Sequence, residues 1–180
     1  MLVKNVKANW LFIDRVDDNG KYRVTFYPSE EQDKQIRKML AECAKQNGVD
    51  IKDCAWKGGY KLDDEGKVTY TAKAAAVYTN KKGIEVERKL SVFNIHAQKF
   101  TDDEVPSVAN GAIVNLDLNP YFVKSKMGKG AMLGLNAVQL IDYEIYQGGG
   151  ANPFADESEE NAFKTPASES SEDDEGVDLF

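Results

Sequence analysis

At Gly148-Gly149-Gly150 the chain changes character, and that break decides how much of it can fold. Beyond it Gly, Ser, Asn, Asp and Glu dominate, leaving too little apolar surface to offset the entropy of ordering the chain. Residues 148–180 carry ten acids and one base, Lys164, a net of −9. The first 147 residues, with 22 bases and 20 acids, carry +2. The total of −7 therefore describes neither part. We read residues 1–147 as one folded domain and residues 148–180 as a disordered acidic tail. Such segregation of charge marks an interaction tail.

Within the first 147 residues, hydrophobic periodicity predicts mostly strands. Residues 5–13 and 21–27 are the first two. In the second, Lys21, Arg23 and Thr25 alternate with Tyr22, Val24 and Phe26, which predicts a half-buried strand with a basic outer face. Asp17-Asp18-Asn19-Gly20 before it is turn chemistry. Pro28-Ser29-Glu30-Glu31 opens a helix to about Asn47, with Ser29 as N-cap and acids at the positive end of the dipole. Ile36, Met39, Leu40 and Cys43 form its apolar stripe, which predicts packing on the sheet.

Residues 49–66 are irregular. Val68–Tyr78 and Ile84–Ile95 then predict a hairpin around Thr79-Asn80-Lys81-Lys82-Gly83. Gly111–Lys124 and Ala131–Tyr146 are the last strands, joined by a glycine-rich turn over residues 127–130. Five or six strands and one main helix predict an all-β, OB-fold-like barrel, an architecture that binds oligonucleotides on one face. The helix comes early in the strand order, as an insertion would.

Catalytic chemistry finds little to stand on. His96 is the single histidine, at a strand end where a structural role is the commoner one. The glycines of Gly128-Lys129-Gly130 lack the spacings of dinucleotide or phosphate loops. Asp63-Asp64-Glu65 and Asp102-Asp103-Glu104 fall in turn-like clusters without a partnering base, so a metal-dependent nuclease is a poor reading. Cys43 and Cys54 are expected as buried free thiols, and with His96 they make no plausible zinc set. No enzyme, cofactor or metal is expected. Without a long apolar span, no membrane partner is expected either, and the expected location is cytoplasmic.

What remains is bases and aromatics interleaved on strands and in loops. A positive groove that tracks phosphates, lined with rings that stack on bases, holds single strands with little sequence preference. The candidates are Lys21, Arg23, Trp56, Lys57, Tyr60, Lys61, Lys73, Lys81, Lys82, Tyr121, Lys124 and Lys126, with Tyr70 and Tyr78 the more core-like aromatics of the set. The tail adds a second signal. A flexible polyanion on a basic body can occupy a nucleic-acid groove, and DNA would displace it. Its end, Asp173-Asp174-Glu175 and Asp178-Leu179-Phe180, would then be exposed to partner proteins. Solubility alone accounts for the acids but not for a Leu179-Phe180 terminus.

Several segments, in order, resemble the phage replication single-stranded DNA-binding proteins, which have an OB-fold and an acidic, aromatic-tipped tail. They are Tyr22-Arg23-Val24, the Lys81-Lys82 hairpin, Asp103-Glu104-Val105-Pro106, Asn119-Pro120-Tyr121 and Gly134-Leu135-Asn136-Ala137-Val138-Gln139-Leu140. After Gly148-Gly149-Gly150 come Phe154-Ala155-Asp156-Glu157 and Glu159-Glu160-Asn161. The resemblance implies binding of single-stranded DNA during phage DNA replication, recombination and repair, in the cytoplasm of a host cell. It implies contact with the replicative DNA polymerase and the helicase-primase through the tail, and a possible homodimer. By position Tyr121 matches a base-stacking aromatic, and Lys73, Lys81 and Lys82 fall where the family carries lysines. Asn115 and Asp117 stand at positions that are more basic in relatives. The alternative is an acidic protein-interaction module or DNA mimic that does not itself bind DNA.

Overall fold

The computed structural model describes residues 1–146 apart from Lys81. The acidic tail expected over 148–180 lies outside the described residues, with its candidate partner-binding positions Asp173, Asp174, Glu175, Asp178, Leu179 and Phe180. Strand β1 spans Leu2–Phe12, β2 Lys21–Tyr27 and helix α1 Glu30–Gln46. A 3₁₀ turn at Ile51–Asp53 leads to the short strands β3, Trp56–Lys57, and β4, Lys61–Leu62. Then follow β5 (Val68–Ala75), β6 (Val77–Thr79), β7 (Glu85–Glu87), β8 (Ser91–Phe93), β9 (Ala112–Ser125) and β10 (Gly128–Asp142).

Five of these strands close into a barrel. β2 pairs antiparallel with β1 and β5, and β9 pairs antiparallel with β1 and β10. A parallel contact, Leu133↔Ala72 and Gly134↔Lys73, joins β10 to β5 and completes the ring. Closure leaves these long strands no free edge. Alternation puts Val24 and Phe26, Tyr70 and Ala72, Leu116 and Leu118, and Leu133 and Leu135 inside, all essentially buried. Among the described residues no helix is long and apolar enough to cross a membrane.

The early helix joins this core. Ser29 and Gln32 form a capping box, the Ser29 Oγ accepting from the Gln32 N–H and the Gln32 Oε1 from the Ser29 N–H. Ile36, Leu40, Cys43 and Ala44 are buried, and the helix packs on β9 and β10. Asp33 accepts a 2.7 Å hydrogen bond from the Tyr70 hydroxyl and both oxygens take the Arg37 guanidinium, which ties α1 to β5. Both cysteines are buried free thiols, and burial pushes Cys43 above its ordinary range.

Four expectations are corrected. The strand read over 68–78 breaks at Ala76, so β6 leaves the barrel and pairs only with β7, as a two-stranded hairpin of its own. The strand read over 84–95 is likewise two pieces, β7 and β8, and β8 lies parallel to β10. Tyr78, expected nearer the core, is 46% exposed on that hairpin. The glycine-rich run is strand rather than turn, because the β9–β10 turn falls at Lys126-Met127. Its glycines serve close approach: a Cβ on Gly130 would stand 2.3 Å from the Trp56 carbonyl oxygen.

Candidate nucleic-acid interface

The outer faces of β2 and β5 lie side by side, and their register pairs Arg23 with Lys73 and Thr25 with Thr71. The two threonine hydroxyls share a hydrogen bond of 3.1 Å. These four residues line an open groove of about 520 Å³, and Trp10, Gly59, Lys61, Thr69 and Met132 complete the lining. Two strands of period two, read from the same face, thus present cations beside neutral hydroxyls. That arrangement offers a polyanion both charge and hydrogen bonds.

The groove holds its positive charge under tension. Burial first, then the charges of Lys21 and Arg23, pulls the Lys73 ammonium below the ordinary lysine range. Arg23 packs its guanidinium over the Phe12 ring at 4.7 Å and lies 3.8 Å from Asp17. Burial works to raise the Asp17 pKa, but the N–H groups of Lys21 and Asn19, with Arg23 and Lys73, outweigh it and hold Asp17 below its usual range. The buried Arg23 Nε and Asp17 Oδ2 have no hydrogen-bond partner among the described residues.

Aromatic surface flanks these charges. Trp10 is 59% exposed, and Tyr121 is 39% exposed on β9, directly across from Met132 on β10. Burial of part of the Tyr121 ring raises its hydroxyl pKa. Trp10 owes its position to backbone geometry. The buried residues of β1 are Val3, Val6, Ala8 and Leu11, so the period of two slips twice, at Asn5 and Trp10. Both residues take φ 53°, and each is a bulge held by an asparagine side chain. The Asn5 N–H donates to Asn115 Oδ1 at 2.8 Å, and the Trp10 N–H donates to Asn110 Oδ1 at 2.7 Å.

Of the residues singled out in the sequence, Arg23, Lys73 and Lys61 line one groove, and Lys21 precedes Arg23 by two positions on the same face of β2. Lys57 and Tyr60 face a different pocket, beside α1. There Tyr60 meets Tyr70 edge-on at 5.7 Å, under the Arg37 guanidinium at 5.0 Å. Trp56 pairs with Gly130 as a short strand on the edge of β10. Lys124 lies over Phe122 at 5.9 Å near the end of β9, and Lys126 is in the following turn. Lys82 is in the turn of the β6–β7 hairpin, and Lys81 lies outside the described residues.

Asn115 and Asp117 are away from the groove. Asn115 supports the Asn5 bulge and donates to Gln139 at 2.8 Å, while Asp117 accepts from Asn136 at 3.2 Å. The acidic clusters also serve local turns: Asp63 accepts from the N–H groups of Glu65 and Lys67, and Glu104 from Thr101. Sequence reasoning missed Trp10, Thr25, Thr71 and Met132. The broken alternation of β1 was the available signal for Trp10; the threonines emerge only once β2 and β5 are in register.

No family model matches the chain. A single-stranded DNA-binding protein of Enterobacteria phage T3 is 29% identical over 114 residues, which cover 62% of this chain. The matched stretch spans 48% of that relative, about half its length. Among solved structures, gp2.5, a single-stranded DNA-binding protein encoded by bacteriophage T7, superposes with a TM-score of 0.63 at 21% identity, covering 91% of this chain and 96% of its own. The single-stranded DNA-binding protein of bacteriophage Enc34, solved in complex with single-stranded DNA, gives 0.56 at 17% identity, covering 82% and 88%. Sequence and fold therefore point the same way: this chain is similar to the single-stranded DNA-binding proteins of phages, the family its motifs resemble.

Proposed function

We propose that the chain binds single-stranded DNA without sequence preference, in the groove between the outer faces of β2 and β5. The observation that carries this reading is the Arg23–Lys73 pair, with Lys21 and Lys61 beside it and exposed rings at the groove's margin. Phosphates neutralise a set of cations that the free protein holds against mutual repulsion. Bases stack on Tyr121, each stacked base contributing about 1–3 kcal/mol. Lys82 and Lys126, each in a hairpin turn, and Lys124 near the end of β9 extend the contact, together with Lys81.

In this reading the protein protects single strands during phage DNA replication, recombination and repair. The acidic tail competes with DNA for the groove, and when displaced it recruits the replicative polymerase and the helicase-primase. The support for the tail's part is the split of charge, −9 against +2, and the apolar Leu179-Phe180 pair that follows its acids. The test is an oligo-dT titration across salt. Log affinity should fall by about 0.7 per log unit of salt for each phosphate contacted. Absence of binding at low salt, with or without residues 148–180, would favour the acidic interaction module instead.

A further inference from the structure

A second groove, of about 260 Å³, opens on the other side of Trp10. Phe12, Arg15 and Tyr146 line it, and Trp10 lines both grooves. The two are coupled a second time beneath the surface, because Arg23 of the first groove rests on the Phe12 ring of the second. Trp10 is thus a ridge between two adjoining channels, each carrying arginine.

The backbone at this ridge is unusual. A tryptophan at φ 53° occupies a region costing on the order of 1–3 kcal/mol for a non-glycine residue. The bulge does not bury the ring, since 59% of Trp10 remains in solvent, and Tyr146 beyond it is 48% exposed. Packing gains little from such an arrangement. A flat, exposed ring on a pinned backbone, between two channels that each carry arginine, instead fits the needs of a stacked base.

Resting on the reading above, we infer that Trp10 is a nucleobase-stacking platform and that the bound strand continues over it into the second groove. Arg15 there takes a phosphate, and Tyr146 takes a further base. The occupant is single-stranded nucleic acid, as the continuity with the cationic groove and the charge of Arg15 require.

The experiment uses the full chain and follows tryptophan emission during oligo-dT titration. The chain has two tryptophans, Trp10 and Trp56, so Trp10→Phe reports which one responds. Trp10→Phe should keep most of the affinity and lose most of the emission change; Trp10→Ala should weaken binding about 5- to 150-fold. Tyr146→Ala should weaken binding to a long oligonucleotide and leave a short one, confined to the first groove, nearly unaffected. Arg15→Gln should lower the salt slope by about 0.7. If the wild type binds while Trp10→Ala and Tyr146→Ala bind equally well, the inference is overturned and the first groove stands. If the wild type does not bind, both fall.

Discussion

Arg23 on β2 faces Lys73 on β5 across the barrel's outer surface, two cations in one antiparallel register pair. Like charges directly opposite destabilise a sheet, so this pair costs stability in the free protein. Lys73→Met should therefore weaken oligo-dT binding and lower its salt slope by about 0.7, while raising the midpoint of thermal unfolding. Paired titrations and melting curves would show it. A variant that lost affinity and stability together would mean that Lys73 is chiefly structural.

The depressed Lys73 pKa gives the interaction a pH signature. A bound phosphate favours the ammonium, so binding takes up protons, and affinity falls as pH rises through a range below that of ordinary lysines. Folding follows the same group with its own sign. The unfolded chain holds this proton more tightly, so stability rises with pH between the folded and unfolded Lys73 values. Lys73→Arg, charged throughout, should remove both effects from binding and unfolding profiles.

Asp17 offsets Arg23 from 3.8 Å and caps the turn before β2 through the N–H groups of Asn19 and Lys21. Its folded pKa is lowered, so its contribution is present above the unfolded carboxylate range and lost as pH falls through the folded value. Asp17→Asn should cost about 1 kcal/mol in denaturant unfolding at neutral pH. It should also tighten oligo-dT binding, because Arg23 loses its carboxylate neighbour. Weaker binding by a folded Asp17→Asn protein would contradict the groove as described.

Gly130 is a packing requirement. A Cβ there would meet the Trp56 backbone at 2.3–2.9 Å, so Gly130→Ala forces β3 away from β10. Destabilisation of about 1–3 kcal/mol is expected from chemical denaturation. Since Trp56 is outside the first groove, oligo-dT affinity of the folded variant should stay near that of the wild type.

For the tail, removal of residues 148–180 should tighten oligo-dT binding, most strongly at low salt where a competing polyanion matters most. Phe180→Ala should leave DNA affinity nearly unchanged and weaken the proposed contact with a replicative polymerase. Equal loss of both, by titration and pull-down, would contradict the proposed division of labour.

Local chemistry made much of the molecule legible. Alternation in Lys21–Tyr27 set a basic face against a buried one, and Ser29 with the stripe at Ile36, Leu40 and Cys43 marked the helix. The segregated charge separated a basic body from an acidic extension, since charge counts need no coordinates. These signals depend on neighbours within a few positions, which is why sequence carries them. It could not show that Arg23 faces Lys73, that Tyr60 turns to the helix, or that Asn110 holds the Trp10 bulge. Each of those depends on registers between segments tens of residues apart. The groove itself is such a property, because β2 contributes Arg23, β5 Lys73 and β4 Lys61, and only the pairing of β5 with both other strands brings them together.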